Sequence, residues 1–189
     1  MSLAGCMVMD APYPLEWETL ENPPSADCRY IEGRYADRGQ SIEPVESRVA
    51  TTEGLVTEQY SQVSEERSFT RELLGEDSPW ESALEIRLHM PADDAVEVTV
   101  LGKSGKALTR TFTAQSGDFQ CDAGRMILHG RRWVASDLMS GREKMRMELQ
   151  RSSAHLVAHV FERDTGLVFA VVPLSGDSAR WIRFPRLAP

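Results

Sequence analysis

The chain has no excess of basic residues. Of its 189 residues, 29 are acidic and 21 are lysine or arginine, which gives a formal net charge of -8 at neutral pH. Nucleic acids and anionic lipid surfaces attract positively charged proteins. The charge balance therefore argues against a nucleic-acid partner.

Long hydrophobic runs are missing as well. The longest, Leu167 to Leu174, contains Pro173 and is far shorter than the ~20 residues of a membrane-spanning helix. Any contact with a membrane would therefore be made through an anchor. The hydrophobic fraction of 41% and the charged fraction of 26% are ordinary for a globular protein, and the length fits one domain.

The sequence also lacks the common catalytic signatures. It contains no Gly-x-Ser-x-Gly nucleophile motif and no His-Glu-x-x-His zinc motif. His155 and His159 are four residues apart, but their flanks predict a strand, on which side chains at that spacing lie roughly 14 Å apart, too far to share one ion. We therefore expect no catalytic residue, no metal site and no cofactor.

Only three cysteines occur, and the first lies near the start of the chain. The sequence Leu3-Ala4-Gly5-Cys6 resembles the lipobox of bacterial lipoproteins, in which the cysteine carries the lipid. The resemblance implies lipidation of Cys6, and Met7 after it implies the periplasmic face of the outer membrane. Five residues before Cys6 are too few for a secretory signal. Either the start is trimmed, or the match is chance and the protein is cytoplasmic.

A proline-rich segment follows, and we interpret residues 1–27 as the lipobox and a tether. Its prolines favour an extended chain with few hydrogen bonds, as in the spacers of lipoproteins. Several apolar side chains in it could dock on the domain or on a partner. The residues concerned are Pro12, Pro14, Pro23 and Pro24, together with Tyr13, Leu15, Trp17 and Leu20.

Three further patches resemble a group of uncharacterised proteobacterial envelope lipoproteins. These are Ile31-x-Gly33-x-Tyr35 after Cys28, Cys121-Asp122-Ala123-Gly124 before an apolar strand, and the ending Trp181-Ile182-Arg183-Phe184. The group has no activity that can be carried over. In an exported domain the two remaining cysteines, Cys28 and Cys121, would pair as a disulfide, whereas in a cytosolic protein they would be buried thiols.

From Ala83 onward, apolar and polar residues alternate with a period of two, which indicates half-buried strands. The apolar positions include Leu84, Ile86, Leu88 and Met90, then Val96, Val98 and Val100, then Met145, Met147 and Leu149. Short turns between the strands favour antiparallel hairpins. We predict a mainly β domain over residues 28–189, a meander of eight or nine strands forming a lipocalin-like barrel or strongly curved sheet, with a β-sandwich as the alternative.

Two segments before Ala83 lack this period. Residues 39–68 are polar, include Glu43-Pro44 and are interpreted as a long connection. Phe69 to Leu74 predicts one short helix, because Phe69 and Leu73 lie one turn apart and Gly75 is placed to end it.

The large aromatic residues offer two interpretations. Trp133, Trp181 and Phe161 are candidate contacts for a ligand or partner, although aromatic residues of this number also suffice for core packing. Our first hypothesis is a non-enzymatic envelope lipoprotein whose β domain binds a protein partner or envelope component. A carrier of a small apolar ligand is the second hypothesis, and an enzyme with a noncontiguous loop site is the third.

Overall fold

The structure is a computed structural model that describes residues 12–21, 27–50, 56–75, 83–135, 139–168 and 172–188. Within strands it describes the backbone but not the side chains of 43–50, 56–64, 131–135, 139–140, 142, 164, 167–168 and 172–176. No helix in these described ranges has the length and apolar character needed to cross a membrane.

The described chain is mainly β and forms two antiparallel sheets with one short α-helix. The smaller sheet has the order β1-β4-β5-β6, and the larger has the order β3-β2-β11-β10-β9-β8-β7. The strands are β1 Gly33–Ala36, β2 Arg38–Ala50, β3 Val56–Ser68, β4 Ala83–Ala92, β5 Ala95–Gly102, β6 Ala107–Thr113, β7 Phe119–Asp122, β8 Arg125–Ala135, β9 Met139–Arg151, β10 His155–Val168 and β11 Val172–Pro185.

The prediction of mainly β structure with one short helix is confirmed, but the strand order is not that of one meander. β1 pairs with β4, and β2 pairs with β11 at the other end of the chain. The eight or nine predicted strands are eleven in the described ranges. The strand order differs from the prediction because pairing between segments distant in sequence has no local signal.

The predicted long connection over residues 39–68 is wrong. β2 and β3 pair along their whole length, from Arg38 with Ser68 to Ala50 with Val56. An antiparallel ladder is built from backbone groups and does not require alternating apolar side chains. Even Pro44, which has no N–H to donate, has a place in the ladder opposite Gln62.

One hydrophobic core contains side chains from both sheets. Val96, Val98 and Val100 of β5 belong to it together with Met147 and Leu149 of β9, as the period of two predicted. Leu84 is an exception, because a register shift between Ala83 and Glu85 leaves its side chain 53% exposed. Tyr35, Phe69, Phe112 and Phe184 are among the largest fully buried side chains.

The predicted helix, α1 (Phe69–Leu74), is confirmed and packs onto this core. Its N-cap Ser68 accepts a hydrogen bond from the Arg71 N–H, and the Phe69 ring lies edge-on to Phe184, 5.3 Å between centroids. The buried carboxylate of Asp37 accepts hydrogen bonds from the Ser68 hydroxyl at 2.6 Å and the Thr70 N–H at 2.9 Å. The helix is therefore tied to the link between β1 and β2.

Candidate functional site

The N-terminal segment 12–21, here called the strap, lies against the larger sheet on the side opposite to the main core. Trp17 packs there in a second hydrophobic cluster with Ile42 of β2, Val157 of β10 and Trp181 of β11. Their neighbours in sequence, such as Ile182, belong to the main core. Since successive side chains of a strand point to opposite faces, the larger sheet has an inner face on the main core and an outer face under the strap.

The strap carries the aromatic contacts of this outer face. The Tyr13 ring lies edge-on to Trp181 with centroids 5.0 Å apart, and the Arg183 guanidinium lies 4.9 Å from the centre of the Trp17 ring. Beneath Tyr13, Trp181 stacks on His159 at 3.9 Å with an interplanar angle of 9°. A strip of sheet that would otherwise expose apolar surface is thereby covered by the chain's own N-terminal segment.

Two carboxylates hold the other end of the strap. Glu18 accepts hydrogen bonds from the Ser152 hydroxyl at 2.9 Å and the Ser153 hydroxyl at 3.0 Å, in the turn between β9 and β10. These hydrogen bonds, the one from Ser152 first, lower the pKa of Glu18 below its ordinary value. Glu21 binds the Arg151 guanidinium at 2.6 Å, and its N–H donates to the Arg151 carbonyl at 2.7 Å.

The outer face continues beyond the strap into an open groove of about 390 Å³. Phe161 is two residues along β10 from His159, and the centroids of the two rings are 4.1 Å apart. Phe161 lines this groove, which we call the Phe161 groove. Met145 also lines the groove, but its side chain belongs to the main core on the inner face. The remaining lining residues are polar or charged: His129, Lys144, Arg146, Glu162, Arg163, Asp177 and Ser178.

Charged side chains border the Phe161 groove. Arg163 binds Asp177 across the strands at 2.7 Å, and this hydrogen bond lowers the pKa of Asp177. The Arg146 guanidinium lies 5.7 Å from the centre of the Phe161 ring and binds Glu148 at 2.6 Å. Lys144 is exposed and forms no ion pair with any side chain that the structure describes.

The structure brings two of the three predicted contact residues together. Trp181 and Phe161 are both on the outer face, but Trp181 is only 9% exposed beneath the strap, whereas Phe161 is half-buried in the groove. The side chain of Trp133 lies outside the described residues, although its backbone is in β8. Cys6 lies outside the described residues as well.

Of the residues that the sequence interpretation placed in a tether, 12–21 are docked instead. Residues 1–11 and 22–26 lie outside the described ranges. The apolar side chains of the segment gave the signal for docking. The contacts of His155 and Arg183 with the strap had no signal in the sequence.

The two cysteines predicted to pair form a disulfide between Cys28 and Cys121. It joins the 3-10 helix Cys28–Ile31 to β7, across 93 residues of sequence. The Cys28 side chain belongs to the main core. The bond therefore fixes the beginning of the domain to the edge strand of the larger sheet.

A buried ionic cluster lies on the inner side of the sheet. The buried Arg180 of β11 binds Glu162 of β10 through both guanidinium nitrogens, at 2.7 and 2.6 Å, and also binds Glu72 of α1. Burial raises the pKa of Glu72 above its ordinary value, against the opposing effect of Arg180. The cluster joins the helix to the sheet at the border of the core.

One of the two histidines of β10 contacts the strap, and the other stacks on a tryptophan beneath it. His155 lies 3.6 Å from the Glu18 carboxylate, and His159 stacks on Trp181. Among the side chains that the structure describes, no group of three or more His, Cys, Asp or Glu is arranged to hold a metal ion.

Comparison with known proteins finds no family model and no curated protein that matches the chain.

Proposed function

We propose that the protein is a non-enzymatic bacterial envelope lipoprotein, anchored through Cys6, whose β domain binds a protein partner on the outer face of the larger sheet. The observation that carries the binding role is the continuation of the outer face beyond the strap into the open Phe161 groove. Aromatic residues and arginine, both present here, are enriched at protein interfaces.

Export and anchoring are supported by the N-terminal resemblance together with the disulfide. Disulfides persist in the periplasm and are rare in the cytosol. The Cys28–Cys121 bond is therefore the pairing expected of an exported domain. Met7 after Cys6 favours the outer membrane, with the domain on its periplasmic face.

For the architecture we infer that the two sheets face each other across one core, as in a β-sandwich, rather than closing into a barrel. The support is the shared core, in which Val98 of the smaller sheet and Met147 of the larger belong to one cluster. An isolated bridge between Tyr35 and Arg186 joins β1 to the residue that follows β11. This arrangement would leave the outer face of the larger sheet accessible.

The carrier alternative requires an apolar cavity inside the domain. Where the structure describes it, the space between the sheets is occupied by large buried side chains such as Phe112 and Phe184. The enzyme alternative would place its chemistry at Glu72, Arg180 and Glu162. Both carboxylates there bind the same guanidinium, so we interpret the cluster as a structural link.

Lipidation is tested by expressing the gene, with its own upstream region, in a Gram-negative host supplied with radiolabelled palmitate. We expect the protein to carry the label and to fractionate with the outer membrane, and Cys6→Ala to lose both properties. The matched control is the double variant Cys28→Ser/Cys121→Ser, which removes the other cysteines and should keep the label. An unlabelled wild-type protein in the cytosolic fraction would overturn the anchoring part of the proposal.

Partner binding is tested by placing a photoreactive phenylalanine analogue at position 161 in cells. The control position is Leu108 of β6, a large apolar side chain that is 36% exposed on the other sheet. We expect a discrete crosslinked product from position 161 and none from position 108. Equal products from both positions, or none from either, would contradict a binding site in the Phe161 groove.

A further inference from the structure

The strap and its seat form an intramolecular example of peptide recognition. Tyr13 and Trp17 supply aromatic side chains to the apolar strip of the outer face, while Glu18 and Glu21 bind hydroxyl, amide and guanidinium donors at the turn after β9. The outer face thus holds a segment in which apolar and acidic residues are combined. Two cationic side chains, Arg151 and Arg183, contact the strap.

The Phe161 groove has the same combination of chemistry a short distance along β10. The Phe161 ring supplies apolar surface, and Lys144, Arg146 and Arg163 supply positive charge. From His159 to Arg163 the strand covers roughly 14 Å, the length of a four-residue extended segment. This stretch of the outer face is therefore long enough for a short peptide in an extended conformation.

One positive charge of the groove has no counter-charge among the described side chains. Among the acidic lining residues, Asp177 is bound by Arg163 and Glu162 by Arg180. Lys144 forms no ion pair with any described side chain. In a protein whose net charge is -8, this is a local site of opposite sign, which attracts carboxylates and disfavours basic segments.

We propose that the Phe161 groove binds an extended segment of a partner protein in which apolar and acidic side chains alternate. The apolar side chains lie on Phe161, and the carboxylates pair with Lys144. This inference rests on the proposed function and specifies the partner's chemistry. The strap occupies the adjoining surface and sets one end of the site.

The test is a titration of the full chain with two fluorescently labelled octapeptides, one alternating leucine and phenylalanine with glutamate, the other with lysine in place of glutamate. We expect the glutamate peptide to bind at least about tenfold more tightly than the lysine peptide. Lys144→Glu should weaken binding of the glutamate peptide by about tenfold, and Phe161→Ser by a similar factor.

The matched control is Lys103→Glu, which reverses an exposed lysine in the turn between β5 and β6 on the other sheet. It should leave the affinity unchanged, and circular dichroism melting should show that all three variants fold. Equal affinity for the two peptides, or equal effects of Lys144→Glu and Lys103→Glu, would overturn the proposal. Binding that appears only after residues 1–11 are removed would also overturn it, because the chain's own N-terminus would then be the occupant. Palmitate labelling of Cys6 does not depend on these outcomes, so failure here is distinguishable from failure of the proposed anchoring.

Discussion

The inner and outer faces of the larger sheet are built from the same strands, but they pack against different parts of the chain. On the inner face, Ile182, Phe184 and Leu156 join a core that includes both sheets, helix α1 and the disulfide region. On the outer face, Val157 and Trp181 join a cluster of four buried residues that is completed by the strap. The period of two along each strand separates the two sets.

The fold and the candidate site should be energetically separable. The inner face is buried by elements that are distant in sequence and are joined by the disulfide, so exposing the inner face means unfolding the domain. The outer face is covered by one short segment, and local opening of such a segment costs far less than global unfolding.

The largest effect is expected from removing the disulfide on the inner side. The disulfide joins cysteines that are 93 residues apart, and in the chain-entropy model its removal lowers the free energy of unfolding by roughly 4.5 kcal/mol. The double variant Cys28→Ser/Cys121→Ser should therefore unfold at a much lower urea concentration than the wild type under oxidising conditions. With reductant present the wild type should approach the variant, and a persistent difference of the full size would contradict the explanation.

The second largest loss of stability is expected from truncation of an aromatic side chain in the main core. Phe184 is fully buried against Phe69, so Phe184→Ala should lower the free energy of unfolding by about 4 kcal/mol. The matched outer-face variant, Phe161→Ala, should lower it by less than about 1 kcal/mol because this ring is half-buried. Urea titrations of both variants measure the two losses in free energy of unfolding. Similar losses would contradict the difference between the two faces.

Loosening the strap should have a smaller effect on the whole domain. Trp17→Ala removes the largest side chain that the strap places in the outer cluster. We expect the urea midpoint of the main core to change little, corresponding to less than about 1 kcal/mol, while Trp181 becomes accessible to acrylamide. A loss as large as that of Phe184→Ala would mean that the strap is part of the core.

The smallest effect is a dependence of strap docking on pH. The pKa of Glu18 is lowered in the docked state, chiefly by the hydrogen bond from Ser152, so release of the strap takes up a proton. Docking should weaken as the pH falls below the ordinary glutamate value of 4.5 towards the lowered pKa. The measurement is quenching of Trp181 fluorescence between about pH 6 and about pH 3. Glu18→Gln should reduce the pH dependence, and an unchanged profile in that variant would assign it to another group.

The features that the sequence predicted correctly lie within single helices or strands. The alternation of Ile86, Leu88 and Met90 predicted β4, and Phe69, Leu73 and Gly75 predicted the bounds of α1, because those signals lie within one element. The pairing of β2 with β3 was missed, since backbone ladders leave no pattern in polar side chains.

The site was predicted only in part. Trp181 and Phe161 were singled out as large aromatics, but their placement on one face depends on the register between β10 and β11. The contact of Glu18 with Ser152 spans 134 residues, and that of Arg180 with Glu72 spans 108. Contacts at such separations follow from the whole fold, which no local pattern specifies.

The most direct test of the separation between the two faces is fluorine NMR of protein containing 5-fluorotryptophan, recorded during a urea titration. The signals of Trp17 and Trp181 are assigned from Trp17→Phe and Trp181→Phe, and circular dichroism of the same samples follows the sheets. The predicted result is that both signals shift to solvent-exposed positions at a lower urea concentration than the loss of β structure. A single transition, in which the two tryptophan signals and the circular dichroism change together, would contradict a separable outer face.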